Sequence, residues 1–122
     1  MSNADVESRA IELVVAYEMK RRNITTSESV VRMPRGQGYD LQSGDRNIEV
    51  KGSEGNTVNT GFRLNSSQEI AFVEGGGYVY RVLDVFGSPR LYILEGAKLT
   101  FYKGEWASVS APKELLDNPI EL

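Results

Sequence analysis

Between residues 5 and 22 apolar side chains recur at the i, i+3/i+4, i+7 interval of one helix face, at Val6, Ala10, Leu13, Val14 and Tyr17. Asp5 and Glu7 open this segment and Lys20, Arg21 and Arg22 close it, the charge order that a helix dipole favours, with Asn23 as terminator. Residues 25–38 are polar and carry Pro34, Gly36 and Gly38, which predicts a loop with a short strand near Val30–Met33. Short strand-like runs follow at 39–43, 47–52, 60–64, 78–85, 91–94 and 99–102, and 54–59 reads as a polar loop. Ser66 with Glu69 three residues on is a capping signature, opening a helix through Ile70, Ala71 and Val73 that Gly75, Gly76 and Gly77 stop. Pro112 and Pro119 bracket a last short helix at 113–117. The order helix, strands, helix, strands predicts a compact mixed α/β domain over residues 1–122, with a core of about 5–103 and a C-terminal extension at 104–122.

Composition narrows the chemistry. A chain of 122 residues, 40% hydrophobic and 25% charged, is enough for one real core. It has no histidine and no cysteine. That excludes a Ser-His-Asp triad, an imidazole base, a thiolate nucleophile, a disulfide framework and histidine- or thiolate-held zinc. The remaining tools are carboxylates, lysine, hydroxyls and backbone groups, which suit magnesium or manganese better than zinc or copper. Without a bilayer-length apolar run or a signal peptide, the expectation is a soluble, intracellular, cytoplasmic protein that does not engage a membrane. The net charge of −3 argues against a strongly basic nucleic-acid coat. Charge is uneven, however: nine basic and nine acidic residues precede position 64, five and eight follow, so a phosphate-bearing partner fits the first half better.

The most informative stretch is 38–52, GYDLQSGDRNIEVKG. Gly44-Asp45 is the Gly-X pair of a two-residue type II′ hairpin. That turn pairs Ser43 with Arg46, Gln42 with Asn47, Leu41 with Ile48 and Asp40 with Glu49. Side chains alternate along a strand, so Leu41, Ile48 and Val50 share the core face and Asp40, Glu49 and Lys51 the opposite one. Directly opposed like charges are destabilising, and a divalent cation between Asp40 and Glu49 would relieve them. Two carboxylates and a lysine can bind a metal, acidify its water and steady charge on a phosphoryl group, the requirements of phosphodiester hydrolysis. The same alternation also describes any half-solvated strand, with Lys51 pairing across the surface.

On these residues the chain resembles the PD-(D/E)xK nuclease superfamily and, more narrowly, the domain family named after the C-terminal region of the plant NO VEIN protein, whose biochemical role is poorly defined. The matching pieces are Glu12, Gly38-Tyr39-Asp40, Glu49-Val50-Lys51, Phe62-Arg63-Leu64, Gln68-Glu69 and Tyr78–Arg81-Val82, spanning about residues 8–84. The resemblance implies a restriction-endonuclease-like mixed sheet flanked by helices. It also implies a Mg²⁺ or Mn²⁺ site with Asp40 and Glu49 as ligands, the Val50 carbonyl as a third, Lys51 orienting the attacking water and Glu12 supporting the metal. Tyr39 stands where the superfamily often has proline.

The remaining candidates have structural alternatives. Glu12 falls away from the centre of the apolar stripe, as a solvated glutamate would. Capping accounts for Glu69, leaving Gln68 to touch a phosphate or the lysine. Lys20, Arg21, Arg22, Arg32, Arg35 and Arg63 could meet a nucleic-acid backbone, Arg35 being the most interesting because it precedes the candidate strand. Tyr78, Tyr80, Tyr92 and Trp106 read as sheet packing. The function expected is metal-dependent cleavage of DNA or RNA. The alternatives are a catalytically silent nucleic-acid-binding or protein-interaction module with the same fold, or a subunit of a homo-oligomer or larger assembly.

Overall fold

The protein is described by a computed structural model covering residues 2–59, 61–103 and 107–122. Thr60, expected to open a strand, and Trp106, expected to pack on the sheet, lie outside the described residues.

Helix α1 runs Asn3–Arg22, two residues earlier than the apolar pattern suggests, because Ser2 caps it reciprocally with Asp5. Asn23 ends it in the left-handed conformation at φ 53°. Strand β1 (Val30–Arg32) pairs antiparallel with β2 (Leu41–Ser43), and β2 turns into β3 (Arg46–Gly52). The hairpin register matches the expectation at Leu41–Ile48, Gln42–Asn47 and Ser43–Arg46. Only Gly44 of the turn has positive φ, +60°, as a type II′ loop requires.

From β3 the chain passes through β4 (Gly61–Leu64) and helix α2 (Ser67–Glu74) before β5 (Tyr78–Leu83), which lies parallel to β3. Strands β6 (Arg90–Glu95) and β9 (Ile120–Glu121) complete a six-stranded sheet ordered β1-β2-β3-β5-β6-β9. A second sheet, β4-β8-β7, uses β7 (Thr100–Lys103) and β8 (Ala107–Ser110). The short strands β8 and β9 are not visible in the hydrophobic pattern, and the last expected helix is a single 3₁₀ turn, Lys113–Leu116.

The result is a mixed sheet with a helix on each face. On one face α1 brings Ala10, Ile11 and Val14 against Leu41, Ile48, Val50, Tyr80 and Val82. On the other, α2 and the second sheet bury Val73, Leu64 and Val109 against Val79, Leu83 and Leu94. The face expected to be half-solvated is therefore covered as well, and Glu49 is only 5% exposed. Contact between α1 and β3 is close: a Cβ on Gly52 would fall 2.6 Å from the Ala10 Cβ. No helix among the described residues is long and apolar enough to cross a membrane.

The C-terminal half of α1 is anchored by a polar group that its apolar stripe does not reveal. Glu18 is fully buried. It accepts from Arg21 at 2.7 and 2.5 Å and from the Tyr80 hydroxyl at 2.8 Å. That hydroxyl accepts from Arg46 at 2.7 Å, whose guanidinium lies 4.7 Å over the Tyr78 ring. Tyr78, Tyr80 and Tyr92 all pack as expected, although Tyr80 is also this network's central donor. Removing one partner from a buried charged network strands the others, so Glu18→Ala should lower unfolding free energy by about 3 kcal/mol. Glu18→Gln, which can still accept from Tyr80, should cost clearly less. Urea midpoints measure both, and a change below about 0.5 kcal/mol for Glu18→Ala, the size of an ordinary surface substitution, would deny this anchor its role.

Candidate functional site

At the other end of α1 the strands open into a cleft of roughly 690 Å³. Its lining includes Glu7 of α1, Arg32 at the end of β1 and Arg35 just after it, Asp40, Glu49 and Lys51 at its floor, and Gln68 and Glu69 of α2. Asp40 is pinned just before β2 begins. Its N–H donates to the Ile48 carbonyl at 2.9 Å, its carbonyl accepts from Met33 N–H at 2.9 Å, and its Oδ2 accepts from Val50 N–H at 2.8 Å. A carboxylate thus replaces the next carbonyl of the ladder.

Glu49 and Lys51 project from β3 on the side covered by α2. Lys51 Nζ lies 2.6 Å from Glu69 Oε1 and 3.5 Å from Glu49 Oε2. The second oxygen of Glu69 accepts from Asn65 N–H at 3.0 Å, so the glutamate bridges the start of α2 to the lysine. Two carboxyl groups, Glu49 and Glu69, share the one ammonium, Asp40 lies against Glu49, and the protonation pattern follows from that imbalance. Burial, with hydrogen bonds to Asp40 and Glu69 and the charge of Asp40, pushes Glu49 up to about 11, so it holds a proton at neutral pH. Burial also works against ionised Glu69, but hydrogen bonds from Glu49 and Lys51 outweigh it and bring the group down to about 2. Desolvation opposes the Lys51 charge, yet its contacts with Glu69 and Glu49 hold the ammonium above the ordinary lysine value. The Lys51–Glu69 contact is therefore the ion pair, and the longer contact to Glu49 is made to a neutral acid.

Over residues 6–94 the chain matches the family described as Protein NO VEIN, C-terminal. It belongs to that family. Neither the curated proteins nor the solved structures offer a match. The matched segment of this NO VEIN C-terminal domain contains every residue of the cleft named above, while β7, β8 and β9 lie beyond it.

Of the site residues expected from sequence, the fold brings Asp40, Glu49, Val50, Lys51, Gln68 and Arg35 to one cleft. It does not bring Glu12, which is exposed and lies 3.5 Å from Arg9. Five residues of helix advance the direction by about 500°, so with Val6 and Ala10 set against Gly52 the glutamate facing the cleft is Glu7. Arg63 sits on β4 opposite Ser108, outside the cleft. The roles of the α2 pair are reversed: Gln68 bonds its neighbour Ser67 at 3.3 Å, and Glu69 reaches the lysine. The capping serine was legible, since Ser66 Oγ accepts from Glu69 N–H at 3.1 Å, but a cap leaves the glutamate side chain free to act elsewhere.

Asp40 and Glu49 offer the hard oxygens that magnesium or manganese accept, and a two-carboxylate site completed by water is a form that magnesium commonly uses. Among the described residues no group of three or more acidic side chains is arranged to hold a metal ion.

The NO VEIN C-terminal domain should show the proton on Glu49 in its stability. Unfolded Glu49 ionises near the ordinary glutamate value of 4.5, whereas folded Glu49 keeps its proton to about 11. Between those values folding takes up one proton, so this group lowers stability by about 1.4 kcal/mol per pH unit as pH rises. Glu49→Gln should therefore be more stable than wild type at pH 7, with the gain growing from pH 5 to 8 and absent at pH 4. Thermal melts across that range decide it, and a gain that shrinks with rising pH would mean Glu49 is ionised. Glu69 acts with the opposite sign, adding stability above 4.5 that is lost as pH falls towards 2.

Proposed function

We propose that this domain is a nuclease-like module that binds the phosphodiester backbone of a nucleic acid in the cleft. The observation that carries the reading is Lys51 on the floor of an open cleft whose lip bears Arg32 and Arg35, three cations on the half of the chain where basic and acidic residues balance. As folded, Lys51 is neutralised by Glu69 and Glu49 keeps its proton. This resting arrangement suits holding a phosphate more than cutting beside it.

A second reading, metal-dependent hydrolysis, is favoured by Asp40 and Glu49 lying side by side, and by the likeness of the GYD and EVK segments to the PD-(D/E)xK superfamily. In it Asp40 and Glu49 hold Mg²⁺ or Mn²⁺. Such an ion supplies Lewis-acid polarisation of the phosphoryl oxygen and an acidified water. Lys51 orients water and steadies the charge that builds on phosphorus as the bond to the leaving sugar oxygen breaks and that oxygen takes a proton. Glu69 positions the lysine. Glu7, on the α1 wall, is the helix glutamate available to water near the acids.

The two readings separate in one set of measurements. Binding of a labelled oligonucleotide should weaken with salt, with a log–log slope near −2 if three phosphates are met, falling in magnitude by about 1.4 in the Arg32→Ala/Arg35→Ala double variant. A slope near zero, or one unchanged in that variant, would refute backbone binding in the cleft. If Mn²⁺ also produces cleavage that Asp40→Asn and Lys51→Ala abolish, the hydrolytic reading replaces the silent one. Intact oligonucleotide at saturating metal retains the binding module.

A further inference from the structure

We infer that the cleft takes a single strand, and that Tyr39 is the platform on which one unpaired base stacks beside the phosphate at Lys51; this rests on the nucleic-acid reading above. Tyr39 directly precedes Asp40, lines the cleft and keeps part of its surface exposed. Its ring lies on Phe72, with centroids 4.7 Å apart and planes 17° from parallel. Phe72 is itself closely packed, because a Cβ on Gly77 would fall 2.2 Å from its Cζ. Tyr39 is held along the chain too: Gly38 has φ +86° and comes so near α2 that a Cβ would sit 2.4 Å from the Gln68 carbonyl oxygen. The two glycines thus make room for a two-ring tier, of which the Tyr39 ring borders the cleft.

Depth argues in the same direction. Glu49 is 5% exposed, and the side chains of Lys51 and Glu69 are 22% and 16% exposed, while Arg32 and Arg35 stand out at the lip. A duplex keeps its bases stacked inside and its phosphates on a stiff outer surface, so its backbone meets the lip first. A flexible single strand can lower one phosphate to the floor and turn the attached base onto an aromatic face, the combination by which single strands are commonly bound.

The test uses the full chain without added metal and a fluorescent oligodeoxythymidylate of about ten nucleotides, within the usual range of single-strand sites. An abasic strand of the same length and a duplex serve as comparisons. The base-bearing strand should bind at least about tenfold more tightly than either, the scale of one stacked base. Tyr39→Phe should keep that advantage and Tyr39→Leu should lose it. A 2-aminopurine placed in the strand should be quenched on binding wild type and Tyr39→Phe, and stay bright with Tyr39→Leu. Equal affinity for base-bearing and abasic strands, or a preference for duplex, overturns the platform while leaving backbone binding in place. Failure of every oligonucleotide to bind overturns both. The strand comparisons use wild-type protein, so they decide the matter even if Tyr39→Leu does not fold.

Discussion

Beneath the cleft a single ammonium serves two carboxyl groups, with a third, Asp40, set against one of them, and much of the architecture around it is a response to that shortage. Lys51 gives its short contact to Glu69, whose other oxygen closes on Asn65 N–H, so the ion pair also fastens the start of α2 to β3. Asp40 meets Val50 N–H across the hairpin. Glu49, left between them and nearly excluded from water, is pushed well above the usual carboxylate range and keeps its proton. A buried carboxyl that must take up a proton to fold is a cost that packing alone would not retain, and such groups concentrate at functional sites.

The far end of α1 shows how the same fold treats charge when the numbers match. Glu18 is buried more completely than Glu49, yet Arg21 and Tyr80 saturate it and its carboxyl stays below the ordinary range despite burial. Among the described residues no buried side-chain polar atom lacks a hydrogen-bond partner, so the contrast lies in who the partners are: Glu18 accepts from the donors Arg21 and Tyr80, whereas Glu49 lies against two further carboxyls, Asp40 and Glu69. One end of the helix is an anchor. The other borders a cleft that has donors and acceptors to offer a ligand.

The hairpin was readable residue by residue because its determinants are local: a Gly-Asp turn and a two-residue alternation that assigns side chains to faces. The α2 cap was readable for the same reason. Glu7 was not chosen over Glu12 because the rotation of α1 about its axis is set by how Val6 and Ala10 meet Gly52, a contact across more than forty residues. Strands β8 and β9 were missed because Ala107–Ser110 and Ile120–Glu121 are too short to show a period, and each exists by pairing with a distant strand.

Spacing along the chain was sufficient to put Asp40, Glu49 and Lys51 together, and composition to exclude histidine and cysteine chemistry and require oxygen and lysine groups instead. It could not say that their side of the sheet is roofed by α2 and a second sheet, and that roof alters the chemistry. An open strand face would leave Glu49 ionised and Lys51 free to pair with it. Covered, the glutamate is protonated, the lysine turns to Glu69, and Tyr39 comes to rest on Phe72. The periods of backbone geometry act over a few residues and are written in any short window. Dielectric environment and choice of ionic partner depend on what packs from elsewhere, which no window contains.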